Sequence, residues 1–168
     1  MHGQMGQLSE ALLFRHFPTK EALYTEIIDH KLRTWPEEIE LAGAATGDDV
    51  AVLRSVAELM IREAEADDTL LRLMLYSALE DHRLASVMLK GRTTRLFDYL
   101  ASYIDKRVRD GAFRPVKPAI AVRAFVGMIF HFILTQELFQ VPARFKVRKR
   151  EAIEVFIEIF LGGIRRKP

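Results

Sequence analysis

The chain contains no cysteine among its 168 residues. A disulfide framework and a thiolate metal site are therefore excluded, and a reducing, cytoplasmic setting is expected. The first residues, MHGQMGQ, lack the basic flank and apolar run of a signal peptide. No charge-free run reaches the ~20 residues of a membrane span. The least polar stretch, residues 124–136 (AFVGMIFHFILTQ), is shorter and reads as a buried helix, so no membrane partner is expected. Strand alternation is nearly absent, and there is no internal repeat or low-complexity segment. The five histidines, at positions 2, 16, 30, 82 and 131, do not have metal-ligand spacing. Glu80, Asp81 and His82 are adjacent on a helical stretch and point apart, which suits a solvated turn better than a metal site. With no catalytic constellation either, the chain is expected to be neither an enzyme nor a cofactor carrier.

What is present is helical periodicity. Composition is that of a globular protein, with 49% hydrophobic and 29% charged residues. Ser9 is a plausible N-cap for a short helix ending near Arg15, Pro18 breaks the chain, and Thr19 caps a longer helix with Leu23, Ile27 and Ile28 inward. Pro36 is expected to kink that helix, which resumes through residues 37–42. Residues 43–49 (GAATGDD) form a linker with cap residues. Val50, Leu53, Val56, Ala57, Met60, Ile61 and Ala64 then mark one apolar face. Asp67 and Asp68 punctuate before a helix over 70–79. A long helix is expected over 84–108, with Leu84, Val87, Met88, Phe97, Leu100 and Ile104 inward. Gly111 is its left-handed cap, with Phe113 available for the apolar contact that follows such a cap.

The next helix, 119–139, is apolar nearly all round, and the last, 151–164, carries a long apolar stripe. A chain this short cannot easily bury both faces of both helices. The surplus predicts a two-fold interface using Phe130, Ile133, Leu134, Ile153, Phe156, Ile157, Phe160, Leu161 and Ile164, with Val155 and Ile159 beside the stripe. The competing reading is a monomeric core in which these helices are central. The basic runs 144–150 (RFKVRKR) and 165–167 read as solvated loop or helix end in preference to a nucleic-acid surface.

The most specific signal is residues 9–23 (SEALLFRHFPTKEAL): a short capped helix, a sharp aromatic turn and a second capped helix. Glu10, Ala11, Leu12 and Arg15 would form an exposed face narrow enough for a major groove. His16 and Lys20, at the turn, could meet phosphates. This segment resembles the recognition-helix signature of the tetracycline-repressor (TetR/AcrR) family of transcription regulators. Ser9, Leu13, Phe14, His16, Phe17, Lys20 and Leu23 fall in register, with Phe where the family usually has Tyr. Residues 111–116 (GAFRPV) and the final helix resemble that family's C-terminal half. The resemblance implies an all-α TetR-like fold: a head over 1–46 and a helical ligand-binding and dimerisation domain over 47–168. It implies a homodimer through the last two helices, an operator DNA bound through Ser9, Glu10, Ala11, Leu12, Arg15, His16 and Lys20, and a small-molecule effector. The family's head has two helices before the recognition helix. Only eight residues precede Ser9 here, and Gln7 stands at the usual glycine position. The expectation is an incomplete head with weakened operator binding, from a downstream start or a truncation. A different reading is a dimeric binding module acting through mixed dimers without DNA.

Candidate effector contacts are Met74, Thr94, Arg95, Tyr99, Phe125, Met128, His131 and Phe132. Met and Phe residues at helical spacing serve either as core or as cavity lining. His131 is either a satisfied core histidine or the polar group that orients an apolar or aromatic ligand. Arg95 could pair with an acidic ligand or simply extend to the surface.

Overall fold

A computed structural model of the chain describes residues 15–34, 42–80, 92–139 and 141–166. Among them the regular elements are helical. They are α1 (Lys20–Thr34), α2 (Asp49–Ala66), α3 (Thr69–Glu80), α4 (Arg92–Arg109), α5 (Pro118–Ile133), a π turn (Leu134–Leu138), a 3-10 turn (Ala143–Phe145) and α6 (Lys149–Ile164). The one extended pairing described is an isolated antiparallel bridge between Phe113 and Arg165.

Local chemistry places the ends of these helices. Arg15 and His16 close a helical turn before Pro18. The Thr19 hydroxyl then accepts the Ala22 amide at 3.1 Å, which starts α1. Asp48 caps α2 by accepting the Ala51 amide at 3.0 Å. The preceding turn folds back tightly: the Asp48 amide donates to the Gly43 carbonyl at 2.9 Å. Gly43 sits at φ +82°, and a Cβ there would lie 2.7 Å from the Ala51 Cβ, so this turn requires glycine. Asp67 ends α2 and accepts the Thr69 amide at 2.8 Å, opening α3.

The expected stop after α4 is present in detail. Gly111 is left-handed at φ +79°. Its amide donates to the Val108 carbonyl, and the Ala112 amide donates to the Arg107 carbonyl. Those two bonds satisfy the last carbonyls of the helix. Phe113 follows, 2% exposed.

The core lies among α2, α4, α5 and α6. Phe125, Leu53, Ile61, Leu100, Ile104 and Ile129 are among its fully buried side chains. The Phe125 and Phe160 rings sit 5.1 Å apart across α5 and α6, and Phe132 meets Phe156 edge-on at 6.1 Å. The buried face of α2 is wider than its expected stripe. Val52 and Leu59 are buried, while Val50, Met60 and Ala64 are only half-buried. The cause is that α2 packs on both α5 and α6. A second, smaller cluster joins α1 to α3, where fully buried Ile28 meets Leu73 with Tyr24, Ile27 and Met74 around them.

The expected single helix over 119–139 is corrected. Its α-helical part ends at Ile133 and a π turn takes over through Leu138. The Thr135 hydroxyl donates to the carbonyls of His131 (2.9 Å) and Phe132 (3.0 Å), so it competes with the backbone amides for their acceptors. Pro118–Leu138 is long and apolar enough, by length and composition alone, to cross a bilayer. Phe125, Ile129 and Phe132 on it are buried in the protein's own core. The expected Pro36 kink, residues 37–41 of the helix expected over 37–42, and inward Leu84, Val87 and Met88 lie outside the described residues, as do Glu80–His82 in part; Ala42 is described and begins a turn.

Candidate nucleic-acid corner and regulatory core

Of the expected DNA-facing set, Arg15, His16 and Lys20 are described and all three are exposed. Pro18 and the Thr19 cap hold the turn between them. Lys20 lies with its ammonium 5.4 Å from the centre of the Tyr24 ring one turn on, which keeps the cation at the start of α1. Ser9, Glu10, Ala11 and Leu12 lie outside the described residues. The corner can present cations and a histidine to an anionic surface.

The effector candidates divide into four groups. Phe125 (0% exposed) and Phe132 (7%) are core, with Met128 half-buried beside them. Met74 is half-buried and packs against both the main core and the Ile28–Leu73 cluster. Arg95 and Tyr99 face solvent one turn apart on α4, and Thr94 is half-buried. His131 is exposed, which corrects the reading of it as a buried core histidine. The reason is rotational: α5 turns Phe125, Ile129 and Phe132 inward, and position 131 falls on the opposite face. Arg95 is at the surface, in keeping with the second of its two readings. The eight residues thus do not converge as one set. Two clefts, of about 310 and 330 Å³, are lined by other residues, the first by Glu58, Arg62 and Glu65 of α2 with Lys149 and Arg150 of α6.

The proposed interface stripe is also redistributed. Ile133, Ile153, Ile157, Phe160, Leu161 and Ile164 are each at most 8% exposed and are used in the protomer's own core. Phe130, Leu134 and Phe156 are half-buried against it. The outward faces carry other residues. On α5 these are Ile120 (63% exposed), Ala124, Gly127 and His131; on α6 they are Val155, Ile159 (60%) and Gly162.

One polar cluster had no sequence signal. Asp49, in the first turn of α2, is 6% exposed. Its carboxylate accepts the Tyr103 hydroxyl at 2.8 Å and Arg107 Nε at 2.8 Å, with Arg165 Nη2 3.7 Å away. Burial first, and then the bond to Asp49, pushes the Tyr103 phenol well above its ordinary value. The same carboxylate raises Arg107 further. The cluster ties the start of α2, which follows the 43–48 turn, to α4 and to the end of α6. Its members are 54 and 58 residues apart, so no local spacing could reveal it.

An exposed corner with two cations and a histidine leads through a capped helix into a set of packed helices, which places the described residues in the all-α class. The family described as the AefR-like transcriptional repressor C-terminal domain, of the TetR type, matches residues 50–163. The chain belongs to this family and is a TetR-family transcriptional regulator. Among curated proteins it is similar to the nucleoid occlusion factor SlmA of Marinomonas sp. (strain MWYL1), 23% identical over 145 residues, covering 86% of this chain and 72% of that protein. The Edwardsiella ictaluri (strain 93-146) SlmA is 27% identical over 152 residues, covering 84% and 74%. The Vibrio vulnificus (strain YJ016) SlmA is 26% identical over 129 residues, covering 73% and 63%. Among solved structures, the TetR family transcriptional regulator PfmR from Thermus thermophilus shares the fold, with a TM-score of 0.62 at 24% identity over 94% of this chain and 84% of that one.

Proposed function

We propose that the chain is a DNA-binding repressor that works as a two-fold dimer and answers to a small apolar or aromatic effector. The observation that carries this reading is the pair of outward stripes on α5 and α6. Positions 120, 124, 127 and 131 and positions 155, 159 and 162 share a spacing of four and three residues, so each set lies along one helix face. Apart from His131 both sets are apolar or small, and the two helices that carry them pack on each other. A Cβ added at Gly127 or Gly162 would meet nothing within 4 Å, so the protomer's own packing does not demand glycine there. Small residues on an open face let a partner helix approach closely, and a second copy completes a four-helix bundle. The Arg15, His16 and Lys20 corner then supplies the phosphate contacts, doubled by the two-fold.

The effector reading rests on Met74. It touches both the regulatory core and the cluster that holds α1, so a ligand that displaces it would move the helix leaving the DNA corner. DNA contact is tested by titrating a fluorescent 30-bp duplex at several salt concentrations. The wild-type chain should bind with a steep salt slope, and Arg15→Ala/Lys20→Ala should weaken binding and flatten the slope by about 0.9 for each phosphate no longer neutralised. Unchanged slopes would remove these side chains from the interface. A thermal-shift screen tests the effector: apolar or aromatic compounds should raise the melting temperature, and stabilisation by polar metabolites alone would refute the class.

A further inference from the structure

Between Leu138 and Glu151 the chain has no acidic residue and five cations: Arg144, Lys146, Arg148, Lys149 and Arg150. All five are exposed. Among them Lys149 is tied to Glu65 of α2 at 2.6 Å. Arg144, Lys146 and Arg148 have no carboxylate partner among the described residues. Interleaved with them are exposed apolar side chains: Phe145 at 57% and Val147 at 48%, with Phe139 at 64% just before. Exposed large apolar groups are common singly, but three beside five cations in twelve residues form a patch of mixed character.

The patch is held in place. The π turn aims Gln136 at this segment, where its amide donates to the Phe145 carbonyl at 3.4 Å and accepts the Val147 amide at 3.3 Å. The Val141 amide donates to the Thr135 carbonyl at 3.2 Å. The Phe145 carbonyl and the Val147 amide are thus satisfied from within, and the Phe145 and Val147 side chains are exposed. Arg144 stacks on the Phe145 ring at 4.8 Å, which keeps a cation at the rim of an apolar group. The anchoring of α6 by Lys149 to Glu65 puts the segment at the end of the bundle where α2 finishes, opposite the Asp49 cluster.

We infer that residues 139 and 141–150 form a docking surface for an anionic lipid bilayer. This departs from the expectation of no membrane partner, and it concerns a surface contact with no segment crossing the bilayer. Cations attract acidic headgroups, and Phe and Val side chains enter the boundary between headgroups and acyl chains. A duplex phosphate backbone would use the cations but offers nothing to Phe139, Phe145 and Val147, and an aliphatic side chain does not stack on bases. A second copy of the chain suits the patch poorly, since the opposite end of the α5–α6 pair, with Arg114, Lys117, Arg165 and Arg166, is itself cationic.

The test is co-sedimentation of the full chain with vesicles of phosphatidylcholine, with and without 30% phosphatidylserine. Binding should need the acidic lipid. Lys146→Glu/Arg148→Glu should lower partitioning by more than about thirtyfold, since loss of the two cations alone implies that much and the two new carboxylates repel the acidic surface. Phe145→Ser/Val147→Ser should lower it at unchanged net charge. Lys106→Glu/Arg109→Glu, an equal charge change on α4, should leave it nearly intact. Circular dichroism checks that each variant is folded. Equal loss in the α4 control would reduce the effect to net charge and overturn the inference. So would absence of vesicle binding, or loop substitutions that weaken 30-bp duplex binding and not vesicle binding, which would reassign the surface to DNA.

Discussion

Asp49 shows how much a single side chain can carry. A carboxylate withdrawn from water is expensive unless its partners are good, and here a phenol and a guanidinium supply them. Removing the carboxylate leaves Arg107, itself only 20% exposed, facing a vacancy. Asp49→Ala should therefore destabilise the fold by about 3 kcal/mol, read by urea unfolding. Tyr103→Phe removes one hydrogen bond to a charged group and should cost about 1.5 kcal/mol. Comparable losses in both variants would place the strength of the cluster in Tyr103 instead of Arg107. Glu154 is the contrasting case at the surface. Arg54 grips it bidentately at 2.8 and 2.9 Å, and that bond holds its carboxyl below the ordinary value of 4.5. A depressed folded-state value means the contribution is complete above 4.5 and is lost as pH falls through the lower, folded value. Arg54→Ala should therefore lower stability slightly above about pH 4.5, neutral pH included, and leave it unchanged in stronger acid, so that the acid limb is flattened. An unchanged acid limb would show that the pair contributes nothing measurable. Neither grouping was legible in the sequence, because Asp49 meets Tyr103, and Arg54 meets Glu154, only after distant helices dock.

Helix ends, by contrast, were legible because the chemistry that makes them is local. Thr19, Asp67 and Gly111 act within three or four residues of their own position, and each does what its neighbourhood in the chain implies. The Thr19 cap carries a prediction. Thr19→Ala should lower stability by about 1 kcal/mol, and hydrogen exchange should quicken first at Ala22 and Leu23 in the opening turn of α1. Uniform quickening through α2 and α6 would mean that α1 and the core unfold as one unit. The element least legible in the sequence is α5 with its π turn. An apolar run announces a buried helix, but it says nothing of Thr135 drawing the His131 and Phe132 carbonyls into side-chain bonds. The same run conceals which face is inward, since apolar residues lie all round it. Its apolar neighbours in the chain suggest an inward His131, and the docked helix turns it out.

At the scale of the whole molecule, the surplus of apolar surface on the last two helices was readable, but its allocation was not. A protomer uses one face of each helix for itself, and only docking decides which. The stripe with the larger side chains, Ile153, Ile157, Phe160 and Leu161, went to the protomer's own core; Ile120, Val155 and Ile159, with Ala124, Gly127 and Gly162, were left outward. Substitutions on the two stripes should fail in different ways. Ile159→Glu puts one carboxylate per protomer into the proposed seam, twice across the two-fold, without touching the core. The variant should stay folded by circular dichroism and sediment as a monomer at micromolar concentration, where the wild type should sediment as a dimer. Gly127→Leu should do the same by bulk, since the face that now admits a close helix would be filled. Ile157→Ala, on the inward stripe, should instead lower unfolding stability by about 3 kcal/mol while the folded fraction remains dimeric. If Ile159→Glu stays dimeric and Ile157→Ala dissociates, the inward stripe is the interface and the assignment is reversed. The monomeric Ile159→Glu should also bind the 30-bp duplex more weakly than the wild type, because two linked corners gain from each other's proximity and a single corner does not.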